Sequence, residues 1–145
     1  MHYVFAAVLV LLSPGFVVAQ SAATPVAQAF EHYEAIRARL AADQLDTVAT
    51  HAGALAPLAG QVAGTAAQAA AERIATAKTI EAVRDQFMVV SAALTPKFLD
   101  AGLPGVHAFM CPMKKAPWAQ RSTAMENPYY GKAMLACGTE IKASP

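Results

Sequence analysis

From Thr24 to about Ala42, Val26, Phe30, Tyr33, Ile36 or Arg37, and Leu40 recur at steps of three and four, the spacing of one helical face. Thr24 is placed to cap that helix, with Pro25 at its first position, and Glu31, Glu34, Arg37 and Arg39 occupy much of the remaining surface. Leu45, Val48, Ala52, Leu55, Ala59 and Val62 continue the same period in a second helix, which Asp43 or Asp46 would cap. Pro57 should kink it, because proline removes a backbone donor and crowds the preceding turn; Gly60 and Gly64 weaken it further. From Thr65 to Ala77 the chain is alanine-rich, with Ile74 its only large aliphatic residue, so this stretch is expected to be helical and thinly packed. It is either a separate short helix or an extension of the second. Thr79 opens the clearest stripe, Ile80, Val83, Phe87, Val90, Leu94 and Phe98, which Pro96 interrupts and Gly102-Leu103-Pro104-Gly105 ends.

Beyond that punctuation the pattern changes. Val106 to Met113 reads as a short apolar segment, irregular or extended, and Lys114 to Glu126 as a loop. A last helix is expected with Asn127 as N-cap, Pro128 at its first position and Gly138 as the left-handed residue after its end. On that helix Tyr130, Met134 and Cys137 would share a face. The expected fold is mainly all-α: an antiparallel bundle of three or four helices, with a C-terminal Cys/Met-containing loop and short helix. There is no internal repeat and no sign of a second domain.

The first residues change the compartment. Tyr3 to Leu12 is an uncharged apolar run too short to span a bilayer. Ser13-Pro14-Gly15 breaks it, and Val17-Val18-Ala19 supplies the small residues of a signal-peptidase site. This gives a signal peptide over 1–19 and a domain over 20–145; cleavage after Ala23 and an uncleaved anchor are the other readings. Export implies a periplasmic location and no membrane span after cleavage. Eleven basic against ten acidic residues leave a net charge of +1, with no electrostatic footprint for nucleic acid. Two cysteines are too few for a disulfide-dense scaffold, so the core must supply most of the stability.

The only cysteines lie in Cys111-Pro112-Met113 and Met134-Leu135-Ala136-Cys137-Gly138. Two thiolates and two thioethers form a soft ligand set that suits Cu(I), in a three- or four-coordinate cage. The alternative is a Cys111–Cys137 disulfide, the default for paired cysteines in an exported chain, with Met113 and Met134 as flexible core filler. His107, Met110 and Trp118 form an outer ring of metal candidates. Each has a plainer reading, His107 as a hydrogen-bonded structural group and Trp118 as a packing anchor. Met88 and Met125 read as ordinary core or surface residues. His32 and His51 fall on different helices without a partner at ligand spacing and are assigned no site. The pairs Glu31/Glu34 and Glu72/Glu81 read as solvated helix faces, and Ser91 and Ser122 have no evident base. There is no phosphate-binding glycine loop, no Cys-x-x-Cys and no zinc-type spacing, so no catalytic residues are assigned and a non-enzymatic protein is expected.

In order, Cys111-Pro112-Met113, Trp118-Ala119-Gln120, Asn127-Pro128-Tyr129-Tyr130-Gly131 and Met134-Leu135-Ala136-Cys137-Gly138 resemble the exported bacterial domain family DUF3347. That domain also occurs with periplasmic adaptor proteins of copper and silver efflux systems. The resemblance is close over residues 105 to 140 and loose over the rest of the mature chain. It implies a periplasmic protein that handles Cu(I), or Ag(I), through Cys111, Met113, Met134 and Cys137, as a buffer, carrier or sensor linked to efflux. A periplasmic efflux adaptor or another envelope protein is the implied partner. Lys114-Lys115-Ala116-Pro117 departs from the family pattern, and two lysines beside the first ligand pair favour a single ion of low charge. The alternative is a disulfide-stapled interaction module of the cell envelope that binds no metal.

Overall fold

The computed structural model describes residues 23–142, so the signal-peptide reading of 1–19 lies outside the described residues. Four helices are followed by a small sheet: α1 (Pro25–Ala41), α2 (Val48–Ala63), α3 (Thr65–Thr76), α4 (Ile80–Asp100), β1 (His107–Cys111), β2 (Ala116–Gln120) and β3 (Thr139–Ile141). The protein is mainly helical but not all-α: Ala116–Gln120, within the stretch expected to be loop, and Thr139–Ile141 flank the apolar segment His107–Cys111 in an antiparallel sheet of order β2-β1-β3.

Helices α1 and α4 begin where their caps predict. The Thr24 hydroxyl accepts a hydrogen bond from the Ala27 amide, with Pro25 at the first position, and Thr79 does the same for Ala82. Each bond satisfies one of the amides that a helix start leaves without a partner. The entry to α2 differs from expectation. Thr47 precedes it in the left-handed region at φ 63° and makes no capping bond. Asp43 and Asp46 are committed elsewhere, Asp46 to Arg39 at 3.3 Å and Asp43 to Arg84 at 2.6 Å. Gly64, at φ 91°, separates α2 from α3, which makes the alanine-rich stretch a helix of its own.

The core is built from the predicted stripes. Phe30, Tyr33, Ile36 and Leu40 of α1 and Val83, Phe87, Val90, Leu94 and Phe98 of α4 are all buried. Tyr33 lies 4.9 Å from Phe87, and Phe30 meets Phe98 edge-on at 5.0 Å. Each large apolar side chain buried here contributes about 1.5–3 kcal/mol. The buried residues of α2 and α3 are mostly alanine, among them Ala52, Ala56, Ala59, Ala67, Ala70 and Ala71. A Cβ on Gly60 would collide with the Gln68 side chain, which lies against α2 at that position.

The sheet continues this core. Phe109 pairs with Trp118 and Cys111 with Ala116 across β1 and β2. These four residues share one face and join the buried cluster that holds the helical core. The expected C-terminal helix is absent: residues 127–130 form turns, and only a short 3-10 helix, Gly131–Met134, follows. Gly131 at φ 56° is a left-handed position that a regular helix does not contain. Tyr130, Met134 and Cys137 therefore do not share a helical face.

Candidate functional site

Cys111 ends β1 and is fully buried. Pro112 to Lys115 form the turn into β2, and Met113 stands on that turn with 63 % of its surface exposed. On the other side of β1, Met110 pairs with Thr139 of β3. One further step of this antiparallel register sets Cys111 across from Gly138, next in the chain to Cys137. Cys137 is half-buried, and its amide donates to the carbonyl of Met134, itself half-buried at the end of the 3-10 helix. The backbones of the two cysteine motifs thus come alongside one another at one end of the sheet, with Met113 exposed on the turn after Cys111 and Met134 on the 3-10 helix before Cys137. Both cysteines are free thiols.

The chain that leads from β2 to Cys137 is fixed by a polar frame. The Gln120 side chain is fully buried. Its Oε1 accepts from Trp118 Nε1 at 2.7 Å and from the Glu126 amide at 3.1 Å. Its Nε2 donates to the carbonyls of Ser122 and Ala124 at 2.7 and 2.6 Å. Asn127 is also fully buried. Its Oδ1 accepts from the Tyr129 amide at 2.8 Å, and its Nδ2 donates to the Cys137 carbonyl at 2.7 Å. The Tyr129 hydroxyl donates to the Pro117 carbonyl. The motif residues between the cysteines are therefore the internal bonding of the segment that carries Met134 and Cys137.

Two arginines tie that segment to the helices. Arg37 is bonded to both carboxylate oxygens of Glu34 at 2.8 and 3.0 Å, and it reaches the Glu126 carbonyl at 3.1 Å and the Glu126 carboxylate at 2.9 Å. Burial works against its charge, but the bonds and charges of Glu34 and Glu126 outweigh it and hold its pKa above the ordinary value. Arg84 donates to the carbonyls of Pro128 and Leu40, each at 2.8 Å, and to Asp43. The Asp43 carboxylate also accepts from the Lys132 amide at 3.1 Å. The Arg84 bond, with the Lys132 amide next, holds its pKa below the usual carboxylate value.

Two buried phenols flank the sheet. Burial pushes Tyr33 up to about 12, against the opposing effect of its bonds to Ser91 and the Ala119 amide. Burial also raises Tyr129, with smaller contributions from Tyr33 and from Cys111, whose sulfur is close enough to be felt.

The outer ring of candidates is dispersed. His107 is at the far end of β1, four residues or about 13 Å along an extended strand from Cys111, and its Nδ1 lies 3.7 Å from Glu140. Met110 alternates to the opposite face from Cys111. Trp118 is fully buried, stacked on Phe109 at 5.3 Å and meeting Tyr129 edge-on at 6.2 Å, so protein side chains cover the indole. Lys114 is turned toward the Tyr130 ring, with its Nζ 5.7 Å from the centroid.

Two features were missed in the sequence. Met125 places its Sδ 3.2 Å from where a Cβ on Gly138 would lie, so a fifth sulfur stands beside the Cys137 segment. Its position depends on a turn held by Gln120, which no periodicity shows. His32 and His51 meet across α1 and α2; the helical phase of each was readable, but not how the two helices face each other.

Among the described residues there is no cluster of three or more His, Cys, Asp or Glu side chains, and no helix is long and apolar enough to cross a membrane. No protein-family model, curated protein or solved structure matches the chain.

Proposed function

We propose that this protein binds one soft monovalent ion, Cu(I) or Ag(I), through Cys111, Cys137, Met113 and Met134. The observation that supports the reading is the register of β1 with β3, which runs the backbone leading into Cys111 alongside the backbone that follows Cys137. Thiolate and thioether sulfur favour such an ion over harder cations. Met125 is a further thioether within the same neighbourhood. Loading would draw the exposed Met113 turn down over Cys111, while the Gln120 and Asn127 frame holds the other half in place. On this reading the chain is an exported, non-catalytic buffer, carrier or sensor, and an efflux adaptor or another envelope protein exchanges the ion with it. The helices, as an antiparallel bundle, are its scaffold.

A competition titration of the reduced mature protein with Cu(I) against a chromophoric chelator tests this. One equivalent withdrawn from the chelator is expected; failure to withdraw any refutes it. The same adjacency favours a second reading, a Cys111–Cys137 staple. Closing the loop from 111 to 137 would stabilise the fold by about 3.5 kcal/mol. A melting temperature that falls sharply on adding reductant, with no copper bound, would identify the staple.

A further inference from the structure

His32 on α1 and His51 on α2 lie 19 positions apart in the chain, and the packing of the two helices brings their Nδ1 atoms to 3.2 Å. The rings are half-buried, their centroids 5.5 Å apart and their planes tilted by 47°. Each is adjacent to a core residue, Tyr33 beside His32 and Ala52 beside His51, both fully buried. The core therefore fixes the backbone from which each imidazole projects.

Without a metal, one ring donates its Nδ1–H to the lone pair of the other. The same separation also fits two nitrogens on one ion. With metal–nitrogen bonds of about 2.0–2.1 Å, two ligands stand about 2.9 Å apart at a right angle and about 3.3 Å apart at a tetrahedral angle. The observed 3.2 Å falls between these limits.

We propose that His32 and His51 form a second metal site, for a divalent transition ion of the zinc or copper(II) class, bridging α1 and α2. Imidazole nitrogen suits such ions, whereas the sulfur set at the sheet end suits Cu(I), so the two sites differ in ligand chemistry. The site uses none of the sulfur ligands and stands or falls independently of them. To load, the donating ring moves its proton from Nδ1 to Nε2; both rings stay neutral and no net proton is released. Among the described residues no third His, Cys, Asp or Glu completes the site. Water then fills the remaining positions, which makes it open and exchangeable rather than a closed structural centre. An ion held there ties α1 to α2 and raises the melting temperature by mass action.

The test is a Zn(II) titration of the nitrogen-15-labelled mature protein, followed through its imidazole nitrogens by NMR. The Nδ1 signals of His32 and His51 should shift together and saturate at one equivalent. His32→Gln should abolish the joint response and weaken zinc binding at His51 at least tenfold, and His51→Gln should do the reciprocal. His107→Gln should leave both shifts intact. The wild-type titration decides the matter even if a variant folds poorly. If neither Nδ1 moves in excess zinc, the pair is a hydrogen bond only and the site does not exist. If His51 responds equally in His32→Gln, the rings bind separately and the bridging site is refuted.

Discussion

The Gln120 carboxamide bonds to Trp118 Nε1, the Glu126 amide and the carbonyls of Ser122 and Ala124. Leucine fills similar space but leaves those groups to find water or remain unpaired, and a buried unpaired group costs about 1–3 kcal/mol. Gln120→Leu should therefore destabilise the protein by about 3 kcal/mol in urea unfolding; a change below about 1 kcal/mol would contradict the role assigned to the frame. Gly131 is constrained in two ways. Its φ of 56° disfavours side chains, and a Cβ there would collide with the Asp43 carboxylate and the Arg84 guanidinium. Gly131→Ala should cost about 2 kcal/mol or more, measured the same way, and should loosen the tie between the C-terminal segment and α1.

At the scale of elements, the four long helices were legible, the C-terminal helix was expected and is absent, and of the sheet only β1 fell in a segment read as irregular or extended. The stripe from Ile80 to Phe98 keeps one helical period for nearly the whole of α4, and Thr24 and Thr79 mark their helix starts through a bond only a few residues long. Such information is local. Ala116 to Gln120 lacks a clean alternation: Pro117 is half-buried while Trp118, Ala119 and Gln120 are all buried, because helices cover one face and the Tyr33 hydroxyl meets the Ala119 amide. Asn127-Pro128 looked like a helix start, yet the Asn127 side chain bonds Tyr129 and Cys137 instead, and Gly131 supplies a turn. The placing of Cys111 and Cys137 in neighbouring sequence motifs was visible; the pairing of β1 with β3, which relates the two motifs, depends on residues nearly thirty apart. The small buried residues of α3 carry their own prediction. Ala70 is fully buried on α3, so Ala70→Leu should overpack the core there and lower stability by about 1–3 kcal/mol in thermal or urea unfolding.

The whole molecule carries its buried phenols into alkaline solution. Tyr33 is pushed to about 12 from an ordinary value of 10.0, and Tyr129 is raised as well. Below pH 10 both folded and unfolded chains keep these protons, and the stabilisation is fully present. Above it the unfolded chain releases them first, so stability falls as pH rises toward 12, by about 1.4 kcal/mol per pH unit for each tyrosine. Urea midpoints at successive pH values should show this decline, and Tyr33→Phe should reduce its slope by about half while lowering stability at neutral pH.

The proposed copper site draws on both Cys/Met motifs of the molecule. X-ray absorption at the copper edge, on the reduced mature protein loaded with one equivalent of Cu(I), tests it most directly. A shell of about three or four sulfurs and no nitrogen is expected, losing sulfur in Met113→Leu/Met134→Leu. A shell dominated by nitrogen or oxygen, or one unchanged by loss of both methionines, would contradict the cage.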